Sequence, residues 1–340
     1  MKQILSNKYF KIAILVLGIV GLVLLGLWAL GYFKSHSEGI PEGAEMPLSE
    51  RDRVIKIYSF IYRAKDEIAQ FALSLYDEAE GGFRIKTGDP VTLAANFYGL
   101  ETLNNLSRLD IRPNQDDLLG MIRSRYIESG YYSDPNKDPV FSTSYALRFN
   151  RYYSEDLGKE IDLNWLEENS ISNENLAEEK KDPEYQLMVW GIYKHLEIPK
   201  EERFEKLENL SSSYFDHYCG LDFSGEESDS DYLEKKYFQI FLISDMSGID
   251  NVKELTSNCL EKETIDKDKE RLKRIDFKKI QDIKELYWFY YLQRFYGLGF
   301  DLEEILEHAK DFYSNRGFKE KLSEKESNLT AAYYGTLFIK

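Results

Sequence analysis

The feature that most constrains this chain is a repeat of nearly constant length. Gly81-Gly82-Phe83-Arg84 is followed by Asp89-Pro90 and then by TLAANFYGLETL, residues Thr92 to Leu103. A near-copy runs from Arg316-Gly317-Phe318-Lys319 to Asn328-Leu329-Thr330-Ala331-Ala332-Tyr333-Tyr334-Gly335. Another unit joins Ser129-Gly130-Tyr131-Tyr132 to Asp138-Pro139 and Ser142-Thr143-Ser144-Tyr145. Fainter units carry Asp182-Pro183 with Tyr185 to Ile192, and aromatic pairs at Tyr237-Phe238 and Tyr290-Tyr291. With Tyr98, Tyr145, Trp190, Phe238, Tyr290 and Tyr334 as equivalent positions, the steps are 47, 45, 48, 52 and 44 residues. Six units of such length predict a stack of supersecondary elements that bury one another's apolar faces.

Each unit has the same internal order. A polar-faced helix comes first, as in Arg53–Tyr76, Gln115–Tyr126 and Leu302–Tyr313, with apolar residues at 3–4 spacing. A Gly-aromatic turn follows, and then Asp-Pro or a Ser/Thr/Asn stretch opens a second helix that is apolar on most sides. A helix apolar all round must be buried, so the alternation predicts an inner ring of helices inside an outer one. The expected fold is all-α, an (α/α)6 barrel or toroid over residues 49–340, with negligible strand content.

The G-G-F-R, D-P, T-L-x-A-x-x-Y-x-L pattern resembles the repeat of the prenyltransferase β-subunit and squalene-cyclase superfamily, the α/α toroid. The likeness covers about residues 50–340 and is good in units one, two and six. That ring hosts prenyltransferases, cyclases, thioester domains and binding modules, so it implies a fold more than a reaction. The prenyltransferase likeness implies an Asp-x-Cys-Tyr segment and a later His that hold a catalytic zinc. Here Asp216-His217-Tyr218-Cys219 has the wrong spacing, and His308 falls on an outer helix. Cys219 reads instead as a small buried residue or as half of a disulfide with Cys259. The cyclase likeness implies Asp-x-Asp-Asp, which Glu226-Glu227-Ser228-Asp229-Ser230-Asp231-Tyr232 approaches but ends in Tyr, so it reads as a solvated run whose last Asp caps a helix. Cyclase Gln-Trp repeats and the thioester Gly-Cys-Gly-Glu-Gln are absent.

Other rings of this architecture act on glycans through paired carboxylates. Asp89, Asp134, Asp138, Asp182, Asp222, Asp229 and Asp231 stand at or before inner helices, where Asp-Pro serves mainly as helix-start punctuation. There is no Gly-x-Ser-x-Gly and no phosphate-binding glycine loop. The inner aromatic stripe would line a pocket with hydroxyl rims if the ring centre is open. The ligand candidates are Arg84, Asn96, Tyr98, Tyr145, Gln186, Trp190, Asn328 and Tyr333. The leading expectation is a non-catalytic binding or scaffolding module, with neither metal nor cofactor. Its alternative is an enzyme of the same ring, a glycan hydrolase or lyase or an isoprenoid- or lipid-acting enzyme.

Residues 1–48 stand apart. Residues 1–11 read as a cytoplasmic N-terminus, 12–33 as a transmembrane helix of 22 uncharged residues, and 34–48 as a tether. Lys2, Lys8 and Lys11 precede the span and Glu38, Glu42 and Glu45 follow it, which puts the remainder outside the cell membrane. The competing reading is a cleaved signal peptide, with Ala29-Leu30-Gly31 as a weak processing site. Residues 1–34 carry four Lys and no acid, so the −16 of the whole chain becomes −20 on residues 35–340. A domain that acidic lacks the cationic footprint of a nucleic-acid binder. The expected partners are the membrane, through the N-terminal helix, and an envelope partner or an apolar or glycan ligand.

Overall fold

The computed structural model describes residues 60, 64–153, 157–158, 161–196, 200–226, 228–247, 259–299, 302–314 and 316–338. The expected membrane span and tether lie outside them. Among the described residues no helix is long and apolar enough to cross a membrane.

The domain is all-α apart from three short hairpins. Its helices are α1 (64–74), α2 (Leu93–Asn105), α3 (Gln115–Ser124), α4 (Pro139–Arg148), α5 (Leu163–Glu168) and α6 (Pro183–His195). They continue with α7 (Lys200–Tyr218), α8 (Asp229–Ser247), α9 (Lys262–Arg274), α10 (Ile283–Phe295), α11 (Leu302–Lys310) and α12 (Leu329–Leu337). The expected Asp-Pro starts hold at α4 and α6: Asp138 accepts from the amide of Val140, Asp182 from that of Glu184, and proline occupies the first turn. Asp89-Pro90 does not start a helix. Asp89 accepts from the Lys86 amide at 3.1 Å, and Thr92 caps α2 instead. The cap of α8 likewise passes from Asp231 to Ser228, whose hydroxyl accepts from the Asp231 amide and donates to its carboxylate.

The even-numbered helices form a closed cycle of neighbours. α2 packs on α4, α4 on α6, α6 on α8, α8 on α10, α10 on α12, and α12 returns to α2. Asn105 donates to Thr336 at 3.1 Å across that last seam, and Tyr313 donates to Glu67 at 2.7 Å beside it. The odd-numbered helices pack against the even ones, as α7 does on α6 and α8, and α9 and α11 do on α10. α9 shows why it stays peripheral: it buries only Ile265, Asp268, Arg271 and Leu272, one face of a highly charged helix. One face of this charged segment therefore contributes to the core while the other stays in solvent.

Strands are few and short, two residues each. β1 (Tyr76–Asp77) pairs with β2 (Gly82–Phe83), β3 (Tyr126–Ile127) with β4 (Tyr131–Tyr132), and β5 (Tyr313–Ser314) with β6 (Gly317–Phe318). Each hairpin follows an odd-numbered helix, so α3 and α11 end before Tyr126 and Tyr313 rather than at them. Gly81 turns the first hairpin at φ +67°, a conformation side chains resist. Gly99 on α2 and Gly335 on α12 let the Phe83 and Phe318 rings lie against the helix backbone, since an added Cβ would stand 2.7 and 2.4 Å from them. Cys219, just past α7, is joined to Cys259 by a disulfide.

Candidate functional site

The capped starts of the even-numbered helices gather at one end of the cycle. Thr92, Asp138, Asp182, Asp282 and Asn328 each accept a first-turn amide there. A cavity of about 630 Å³ opens among these starts. The side formed by α2 and α4 presents Thr92, Tyr98, Phe141, Ser142 and Tyr145. The opposite side presents Glu184 of α6, Lys284 of α10 and Glu320. The α2–α4 side adds Asp89, Asp134, Lys137 and Asp138 to its aromatic and hydroxyl groups, so charged groups stand on both sides of the well.

The polar groups differ in how far they are engaged. Tyr98 and Tyr145 share a hydrogen bond at 3.2 Å, and burial pushes both phenols up, so they stay protonated. Lys284 pairs with Glu320 at 3.1 Å, and Asn328 donates to the other Glu320 oxygen at 3.0 Å. Asp134 is buried: one oxygen accepts from the Leu93 amide at 2.7 Å, and the other stands 3.7 Å from Arg125 Nε without a hydrogen bond. Glu184 makes no hydrogen bond or ion pair with its carboxyl among the described residues. Burial, reinforced by the charges of Glu234 and Asp182, pushes that carboxyl up to about 7, against the pull of Lys284. Burial also raises Glu234.

Beneath this well the inner aromatics stack on one another. Phe97 meets Tyr145 and Tyr333 at 5.3 and 5.7 Å, Tyr237 meets Tyr287 and Trp288 at 6.0 and 6.1 Å, and Trp288 meets Tyr334 at 6.5 Å. Beyond them a second cavity of about 400 Å³, lined by Ser244, Tyr287, Tyr290, Tyr291, Arg294, Phe295 and Leu337, opens where α8, α10 and α12 end.

Of the expected ligand residues, Tyr98 and Tyr145 line the well, and Tyr333 belongs to the aromatic layer under it. The others are engaged in holding the fold. Arg84 pairs with Asp77 at 2.6 Å and Glu80 at 2.7 Å and donates to the Asp89 carbonyl. Asn96 accepts from the Phe83 amide at 2.5 Å, fastening the first hairpin. Gln186 donates to the carbonyls of Asn169 and Lys180 and accepts from Ile171. Trp190 donates to Asp245 at 2.8 Å, and Asn328 caps α12. Because Cys219 is held in a disulfide, the Asp216-His217-Tyr218-Cys219 segment offers no thiolate to a metal. Glu184, Glu234 and Lys284 were not among the expected residues. One signal existed: Glu184 and Lys284 stand six places before Trp190 and Tyr290, as Thr92 and Asn328 do before Tyr98 and Tyr334.

No family model, no curated protein and no solved structure matches this chain.

Proposed function

We propose that residues 49–340 form an (α/α)6 toroid of the prenyltransferase-like kind, held outside the cell membrane by the 12–33 helix, and that this domain is a binding module for a hydroxyl-rich ligand, a glycan. The disulfide supports the outward placement, since such bonds persist in oxidising compartments. The two-walled well carries the ligand reading. Rings of Tyr98, Phe141 and Tyr145 suit the C–H face of a sugar, and the carboxyl of Glu184, free of protein partners, suits its hydroxyls. The charged groups around the well argue against an isoprenoid. Calorimetry of the full chain in detergent with a panel of neutral and acidic oligosaccharides tests the reading. Binding weakened about tenfold by Tyr145→Ala or Glu184→Ala is expected, and an absence of binding across the panel overturns it.

A second reading is favoured by Glu184 alone. A carboxyl that lines the well and titrates near 7 is equipped to give a proton to a glycosidic oxygen as water attacks the anomeric carbon and releases its own proton to solvent. New reducing ends from the same oligosaccharides, lost in Glu184→Gln while binding persists, would establish hydrolysis. Binding without cleavage leaves the module reading in place.

A further inference from the structure

A third cavity lies on the flank of the domain, away from the helix starts. It is a groove of about 560 Å³ between α5, the 169–173 turn, the second half of α6 and α7. Its floor is Tyr193 and Leu210, each 3% exposed. Tyr193 is the unusual member. Its ring is buried, yet its hydroxyl makes no hydrogen bond among the described residues while lining the groove. The ring is packed away while the hydroxyl opens on the groove, so it is presented to a group that enters there. Burial and the charge of Glu167 raise its pKa, so it meets that group as a protonated phenol.

The walls narrow the chemistry. Glu167 and Lys206 pair with each other across the rim, which removes one charge of each sign from the site. Asn173 and Ser172 are engaged locally: Asn173 donates to the Glu168 carbonyl and accepts from the Asn175 amide, and Ser172 bonds Ser170. The groups left for a ligand are the Tyr193 hydroxyl, the carboxamides of Asn164 and Asn209 and the carboxylate of Glu168, which accepts from hydroxyls and repels an acidic sugar, above the methyls of Leu210. A carboxamide presents a donor and an acceptor in one plane, which matches vicinal hydroxyls, and an apolar floor matches the C–H face of a ring.

We propose that this groove is a second carbohydrate site, taking a neutral pyranose unit by way of Tyr193, Asn164 and Asn209. It stands independently of the well. Equilibrium dialysis of the full chain in detergent against neutral gluco-, manno-, xylo- and chito-oligosaccharides should show an equivalent of sugar whose affinity falls about threefold to tenfold in Tyr193→Phe and further in Tyr193→Phe/Asn209→Ala. Tyr145→Ala should leave that equivalent untouched. Because Tyr193→Phe removes a hydroxyl with no protein partner, its Tm should equal or exceed that of the wild type, and a clear fall in Tm would overturn the assignment. So would sugar binding unchanged in the double variant, or no sugar bound at this site. Sugar bound here but not in the well would support this site and overturn the reading of the well.

Discussion

Units one, two and six, and units three, four and five, solve the same problem by different chemistry. In each, the end of an odd-numbered helix must be tied to the following even one. The first set does it with a hairpin, fastened in unit one by Asn96 accepting from the Phe83 amide and in unit two by Thr143 accepting from the Tyr132 amide at 2.9 Å. The second set has no hairpin among its described residues, and each uses a buried glutamine. Gln186 reaches the carbonyls of Asn169 and Lys180, Gln239 those of Tyr218 and Leu221, and Gln293 that of Leu272. Orphan carbonyls at a helix end need partners, and one side-chain amide supplies what a strand supplies elsewhere. A structural role can therefore be kept while its sequence signature disappears.

The sharpest test of the glutamine units is the network around Gln239. Lys236, wholly buried, pairs with Asp268 at 2.7 Å and donates to Gln239 at 2.9 Å, while Tyr232 and Tyr296 donate to the same carboxylate. Lys236→Met should destabilise by about 3–5 kcal/mol in urea unfolding, because it leaves Asp268 charged and buried. The disulfide that follows α7 belongs to the same region and closes a loop with a sequence separation of 40. Cys219→Ser should lower stability by about 2–4 kcal/mol, with no change in a reduced sample beyond that loss.

Next come the two fastenings themselves. Gln239→Leu and Asn96→Ala should each cost about 1–3 kcal/mol, the former more, since it strands two carbonyls and takes one partner from the Lys236 ammonium rather than stranding one amide. Equal losses would mean that the glutamine is no better integrated than the hairpin clasp. The smallest effect carries a sign. Glu184 titrates at about 7 in the fold against an ordinary 4.5, so its favourable contribution is complete below pH 4.5 and is lost as the pH rises through 7. Glu184→Gln should thus stabilise the protein by about 1–2 kcal/mol at pH 8 and change little at pH 4.

The contrast also explains what could be read from the residues. Asp138-Pro139, Gly81-Gly82-Phe83 and Tyr98 act over a few positions, through caps, a turn and helical spacing, and these local rules were visible. The hairpins were missed because two-residue strands leave no alternating pattern. Gln186 was taken for a ligand group because a polar residue on an apolar helix looks functional until the carbonyls it serves, in other segments, are in place. The well was half legible. Tyr98 and Tyr145 belong to the repeated aromatic position, whereas Glu184 is a first-turn acid of α6 with no such pattern to mark it. Only the packing of α6 on α8 and α8 on α10 brings Glu184, Glu234 and Lys284 into one electrostatic group.

The return of α12 to α2 has a further consequence. A linear stack of helical pairs has end units with one bare face, and these fray first or need special caps. A cycle has none. Its chain could be opened at another seam, such as between α6 and α7, and every even-numbered helix would keep both neighbours. Circular permutants cut there should retain the core, so which unit counts as first is a matter of covalent order and not of packing.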